Sequence, residues 1–259
     1  MTEAPPPPQA EWPRPYWAPG EDSALLVFFI FGRFPDEIVL PAARYGSNGL
    51  PEGMEMHRYP NETLATWEGY PLRGALGEVL EHDAPIAFDA AKQAPEVIRI
   101  SGTLDDRASL DYLRDTLGVL AALLDIGGDV VVDPQILSLF DAPAWRERYL
   151  VDGGAPPRNH VVILAHDEEG GNAWVRTRGM RKFGRPDLSI RGVPRKDLNI
   201  AGALCERLVE LNALGGHLAD GQELEVEGIV GPLHCAHGGG LDDPQFNNTY
   251  VEVRWPAGS

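Results

Sequence analysis

Eight of the 22 basic residues fall in the stretch AWVRTRGMRKFGRPDLSIRGVPRK, Ala173 to Lys196, which contains one acid, Asp187. Eight cations against one carboxylate make this segment strongly positive within a chain of formal net charge −17. Read as a strand, it places Trp174, Arg176 and Arg178 on one face and Val175 and Thr177 on the other. Same-face neighbours lie about 7 Å apart, so two guanidiniums can clasp one carboxylate or phosphate. After the turn GMRKFGRP, Leu188 and Ile190 face the core, while Asp187, Ser189 and Arg191 take the polar face. Trp174, Arg176, Arg178, Arg181, Lys182, Arg185 and Arg191 are therefore the candidate binding residues, for an anion or an acidic patch of a partner. The alternative is a solvated sheet face whose arginines pair with acids of the same chain.

A second cluster has metal-ligand types. His234, Cys235 and His237 lie in PLHCAHGGGLDD, with His217 or Asp242 available to complete four ligands. Their spacing matches no zinc template, and in an extended segment His234 faces away from Cys235 and His237, so the stretch reads as a structural loop. The acidic run HDEEGGN, His166 to Asn172, offers carboxylates but reads as a solvent-facing hairpin turn. Cys205 sits on an apolar helical stripe and belongs to the core. Nucleophile elbow, P-loop, dinucleotide fingerprint and His-Glu-x-x-His helix are all missing from the sequence. No cofactor is implied.

Charge and composition narrow the class. A chain of 259 residues, 43% apolar and 24% charged, can bury a proper core. Its negative charge disfavours nucleic acid, which demands a dominant basic surface. The longest apolar run, ALLVFFIF (Ala24 to Phe31), is far short of the ~20 residues that a membrane helix needs. The N-terminal sequence lacks the pattern of a secretory signal, and two cysteines make no disulfide framework. The expected location is cytoplasmic, with no membrane contact.

The elements that must position these residues follow from periodicity. Residues 1–22, rich in proline and interleaved with Trp12, Tyr16 and Trp17, read as a flexible extended arm. Ala24 to Phe31 and Asp129 to Asp133 read as buried strands, and EVIRISG as another. Leu110, Leu113, Leu117, Leu120 and Leu124 mark a long helix capped at Thr103 or Asp105 and closed by Gly127-Gly128. A short helix is expected over Leu72 to Glu81 and another in APAWRERYL, packing Trp145 and Tyr149. NHVVILAH and AWVRTRG form a hairpin, PDLSIRGV a third strand, and QELEVEGIV and TYVEVRW the last two. Between them, KDLNIAGALCERLVELNALGG is an amphipathic helix burying Leu198, Ala201, Leu204, Cys205, Leu208 and Leu211. The Gly-Gly helix ends lie 88 residues apart, and PEVIRISG precedes PDLSIRGV by 91. The fold class is α+β in two similar halves, 23–152 and 153–259, each a mainly antiparallel sheet with a long helix on one face.

Trp174, Thr177, Gly179, Met180, Gly184, Pro186, Asp187 and Leu188 resemble a motif of an uncharacterised group of bacterial proteins, Trp-x-x-Thr-x-Gly-(Leu/Met) followed by Gly-x-Pro-(Asp/Glu)-Leu. Upstream, Gly127, Gly128, Asp133, Gln135 and Trp145 are similar to that group's Gly-Gly-x-x-x-Asp-x-Gln and Trp. The likeness spans roughly the last 60% of the chain. It implies a binding role, since relatives are associated with toxin–immunity loci. Members often carry His beside the Thr, where this chain has Arg176 and Arg178. Permanently protonated arginine replaces neither a metal ligand nor a base, so the resemblance implies no such chemistry here. The expectation is a protein-binding protein, an immunity-type inhibitor whose partner is a basic toxin domain, with its oligomeric state open. The competing expectation is an enzyme for a small anionic substrate, using the arginines for binding and the His234/Cys235/His237 stretch for hydrolysis.

Overall fold

A computed structural model describes residues 11–19, 22–151, 154 and 156–256. The chain forms two compact units. One holds residues up to Pro13, Leu25–Leu104 and Ser109–Ala155; the other holds Arg14–Ala24, Asp105–Ala108 and residues from Pro156 on. Segments 14–24 and 105–108 thus depart from simple boundaries after residues 22 and 152.

In the first unit, β1 (Ser23–Gly32), β2 (Met54–Pro60), β3 (Glu96–Asp105), β4 (Gly128–Asp133) and β5 (Ser138–Asp141) form a sheet in the order β2-β3-β1-β4-β5. Its helices are α1 (Asn61–Leu64), α2 (Gly74–Asp83), α3 (Pro85–Gln93), α4 (Asp111–Asp125) and α5 (Ala142–Tyr149). The apolar run of β1 is continuous because both faces are covered: Phe28 and Ile30 are buried as fully as Phe29 and Phe31. Phe29, Phe31, Val97, Val130 and Val132 share one core cluster with Leu80 of α2 and Phe88 of α3.

The long helix departs from its expected start. Strand β3 runs through Thr103 to Asp105, and α4 begins at Asp111 without a side-chain cap. Every residue of α4 from Tyr112 to Leu124 is buried, including Arg114 and Asp115, which pair at 2.9 Å. A loop crosses it at Gly118, where a Cβ would stand 2.3 Å from that of Ser47. Asn48 donates to the Asp115 carboxylate from both its backbone N and its Nδ2. At α5 the Asp141 carboxylate accepts from the Ala144 amide at 2.8 Å, and Trp145 and Tyr149 are buried as expected. Asp141→Ala is expected to cost about 1 kcal/mol in a urea titration, the usual worth of an N-cap.

In the second unit, β6 (Val162–Asp167), β7 (Asn172–Arg178), β8 (Asp187–Pro194), β9 (Glu223–Leu224), β10 (Leu233–Gly240) and β11 (Asn248–Arg254) take the order β6-β7-β8-β11-β10-β9. Neighbouring strands of this sheet run antiparallel except β8 with β11. Helix α6 (Leu198–Ala213) packs on β7 and β8, burying Ala201, Leu204, Cys205 and Leu208. Leu211, assigned inward by periodicity, is exposed, and Val209 and Asn212 are buried instead.

Both units are α+β with a long helix and a mostly antiparallel sheet. In each, one strand separates the strand before the long helix from a strand after it: β1 between β3 and β4, β11 between β8 and β10. The inserted strand precedes the helix in one unit and follows it in the other. The matched spacings therefore express a shared order of elements with different strand connections. No helix among the described residues is long and apolar enough to cross a membrane.

Candidate functional site

The hairpin β6–β7 and its neighbour β8 carry the basic segment. Arg176 pairs with Ser189 in register, and Val175 with Ile190, so the apolar and polar faces separate as the alternation demands. The polar face, however, is covered. The turn between β10 and β11 folds over it, with Asn247 in the left-handed region at φ 52° and Phe246 stacked on Tyr250 at 4.6 Å. Phe246 also meets Trp174 edge-on at 5.9 Å. The result is a layered stack. Arg191 lies 4.0 Å from the Trp174 ring centroid and Arg176 4.7 Å from it on the same indole, with Arg176 also 5.6 Å from Phe246. Trp174 Nε1 donates to Ser189 Oγ at 2.9 Å.

Three arginines here find carbonyls rather than acids. Arg176 and Arg178 both donate to the Gln245 carbonyl, and Arg181 donates to that of Asn247 at 3.1 Å. Arg176 Nε also points to His166 Nε2 at 3.3 Å, which uses that imidazole nitrogen as an acceptor. Burial, reinforced by Arg176, holds the His166 pKa below its ordinary value. Arg178 Nε is buried with no hydrogen-bond partner among the described residues. Its guanidinium pKa is lowered by burial, against the pull of Asp187.

The seven candidate binding residues do not share one surface. Trp174, Arg176, Arg178 and Arg181 gather under the 245–247 turn, and Arg191 reaches the edge of that stack to pair with Glu168 at 2.6 Å. Lys182, fully buried, donates to the His160 carbonyl at 3.0 Å. Arg185 lies elsewhere in the unit, against Asp106 at 3.0 Å. Arg176 and Arg178 are each 8% exposed, so neither an open arginine patch nor a solvated arginine face describes them. The signal for the covering turn was Phe246, an aromatic residue inside the otherwise polar DDPQFNN.

The stretch His234 to Gly240 is a strand and not a loop. His234 pairs with Glu223 at 3.4 Å on one face, Cys235 is buried, and His237 Nε2 contacts the Leu218 carbonyl. Strand alternation thus turns His234 away from Cys235 and His237, which share the other face. Among the described residues, no group of three His, Cys, Asp or Glu is placed to hold a metal ion.

No family model, curated protein or solved structure matches this chain. Its chemistry therefore has to be read from its own side chains. One missed feature stands out. Asp106, in a segment read only as a helix cap, carries a fully buried ion-pair network with Arg14 and Arg185.

Proposed function

We propose that this chain is a non-catalytic recognition protein whose acidic surface takes up a basic partner protein, in its most specific form an immunity-type inhibitor of a toxin. The observation that carries this reading is the withdrawal of positive charge from the surface. Arg14, Arg114, Arg176, Arg178, Lys182 and Arg185 are buried, against the buried carboxylates of Asp106, Asp115, Asp133 and Asp187. The solvent-facing part of the molecule is therefore more acidic than its formal charge of −17. Such a field steers and orients an oppositely charged partner.

The α2–α3 hairpin is the part of this surface best suited to contact. Glu78, Glu81, Asp83 and Asp89 are exposed there and make no ion pair among the described residues. The same hairpin carries Ile86, 87% exposed, an apolar side chain available to a partner. Arg176 and Arg178, by contrast, are committed to the turn above them and support the fold of the second unit.

The reading is tested by co-expression with the product of the adjacent reading frame and gel filtration at about 50 and about 500 mM NaCl, where charge screening differs several-fold. A complex that weakens at high salt and in Glu78→Lys/Glu81→Lys is expected. Absence of a complex, or one indifferent to both changes, sinks the proposal.

A further inference from the structure

We propose that a cleft in the first unit, lined by Tyr59, Thr63, Leu64, Trp67 and Arg99, binds a small monocarboxylate with a flat apolar body. The cleft measures about 360 Å³, within the range of small-molecule pockets, ~300–1,000 Å³. It goes beyond the recognition of a basic protein, which needs acids, because its charged group is a cation.

Arg99 decides the chemistry. It projects from β3 with its guanidinium 5.4 Å from the Trp67 ring centroid. Its Nε is buried without a hydrogen-bond partner, and Arg99 makes no ion pair or hydrogen bond among the described residues. A guanidinium carries five donors in a fixed fork, and leaving a buried one unmade is unfavourable. Arg58, on the same two strands, is by contrast paired with Glu96 at 2.7 Å. Arg99 instead faces His57 across the β2–β3 register.

The rest of the lining fits the same ligand. The hydroxyls of Tyr59 and Thr63 have no hydrogen-bond partner among the described residues and can donate beside the guanidinium. Trp67 is 44% exposed, so part of its indole is open to a ligand beside the guanidinium, and Leu64, buried, also lines the cleft. Tyr59 is held by stacking on His57, with ring centroids 6.2 Å apart. A fork of donors, two hydroxyls and an indole face match a carboxylate on a planar apolar group. One cation balances one negative charge. A phosphate monoester would bring two into a chain whose field already repels anions.

The test follows the indole N–H resonance of Trp67, assigned by its loss in Trp67→Phe, during titration of the full chain with benzoate, benzamide and phenyl phosphate. Saturable shifts with benzoate are expected, with benzamide at least roughly tenfold weaker, the scale of a lost charge-assisted pair. Arg99→Met should abolish the response while leaving the thermal midpoint unchanged or higher, since it removes an unmade donor. Tyr59→Phe and Thr63→Val should each weaken benzoate without loss of fold. The proposal is overturned by no saturable response to benzoate, by equal binding of benzamide, or by tighter binding of phenyl phosphate. A response that survives Arg99→Met, or a lowered midpoint in that variant, overturns it too. The contact between the acidic surface and a basic protein is read by a different experiment and can fail separately.

Discussion

Asp106→Asn is expected to remove about 3–5 kcal/mol of stability, the cost of leaving a buried charge without its partner. Arg14 Nη1 and Arg185 Nη1 both reach this one carboxylate, and all three side chains have zero exposure. Trp17 Nε1 donates to it as well, at 2.8 Å. The remaining donors of the two arginines go to main-chain carbonyls: Ala213 and Phe183 for Arg14, Gly215 and Gly216 for Arg185. Among the described residues, the other acid paired with this network is Asp22, 3.5 Å from Arg185 and 46% exposed. Asn keeps the shape of the side chain and removes the charge, so two desolvated guanidiniums would face each other. Burial already lowers the pKa of Arg185, and the field of Arg14 adds to it. Arg14→Met should cost less, because Asp106 and Arg185 then form a balanced pair. Urea unfolding followed by tryptophan fluorescence measures both. A larger loss in Arg14→Met than in Asp106→Asn would show that the carbonyl contacts, and not the charge balance, hold the network.

That network also marks where periodicity stopped being informative. Proline fixes φ and removes donors, and on that ground residues 1–22 read as an arm; residues 1–10 lie outside the described part. Arg14, however, is a buried anchor, and Trp17 runs against Gly215, where a Cβ would stand 2.4 Å from its backbone N. Gly215 has φ 102°, so both its conformation and this close approach require glycine. Proline spacing carries no information about one arginine whose partner is 92 residues away. Elements with strong local patterns were legible: β1, β4, α4, α5, α6 and the β6–β7 hairpin all occur where the apolar spacing puts them.

The misreadings have physical causes in particular side chains. QELEVEGIV alternates like a strand, yet only Glu223–Leu224 pairs, because Gly228 and Gly231, at φ 87° and 91°, turn the chain back on itself. HCAHGGG read as a structural loop because its ligand types match no zinc spacing, yet its glycines lie within a strand. They are needed within β10 because the Tyr250 ring lies over them, 2.9 Å from a Cβ at Gly238 and 2.7 Å from one at Gly239. At the arginine face, alternation correctly grouped Trp174, Arg176 and Arg178. It did not reveal the cover, since burial of a polar face depends on a distant turn. Arg99 and Trp67 went unnoticed for the same reason: each is unremarkable in its own segment, and only the fold puts one over the other.

The second large effect is a dependence of stability on pH that runs opposite to the usual one. Asp187 is 1% exposed, and burial pushes its carboxyl up to about 6 from 3.8. Donors from Asn248 Nδ2 at 2.9 Å and Thr177 Oγ1 at 2.8 Å, with the Met180 amide at 3.3 Å, hold it from rising further. Between the two values the folded chain binds a proton that the unfolded chain releases. Its stabilising contribution is therefore complete below about pH 4 and is lost as pH rises through 6, a change of roughly 3 kcal/mol. Glu96 works in the other direction. Burial would raise its pKa, but the Phe34 amide and Arg58 outweigh that and hold it low, so its contribution fades on acidification. Urea unfolding of the wild type and of Asp187→Asn across this range separates the two, because Glu96 is common to both. The stability of wild type relative to the variant should fall between pH 4 and 7.5, and a flat difference would mean that the three donors fully compensate burial. Arg178, whose charge opposes the rise, adds an internal check. In Arg178→Met the fall should move to higher pH, since the ionised carboxylate then has lost a cation that favours it.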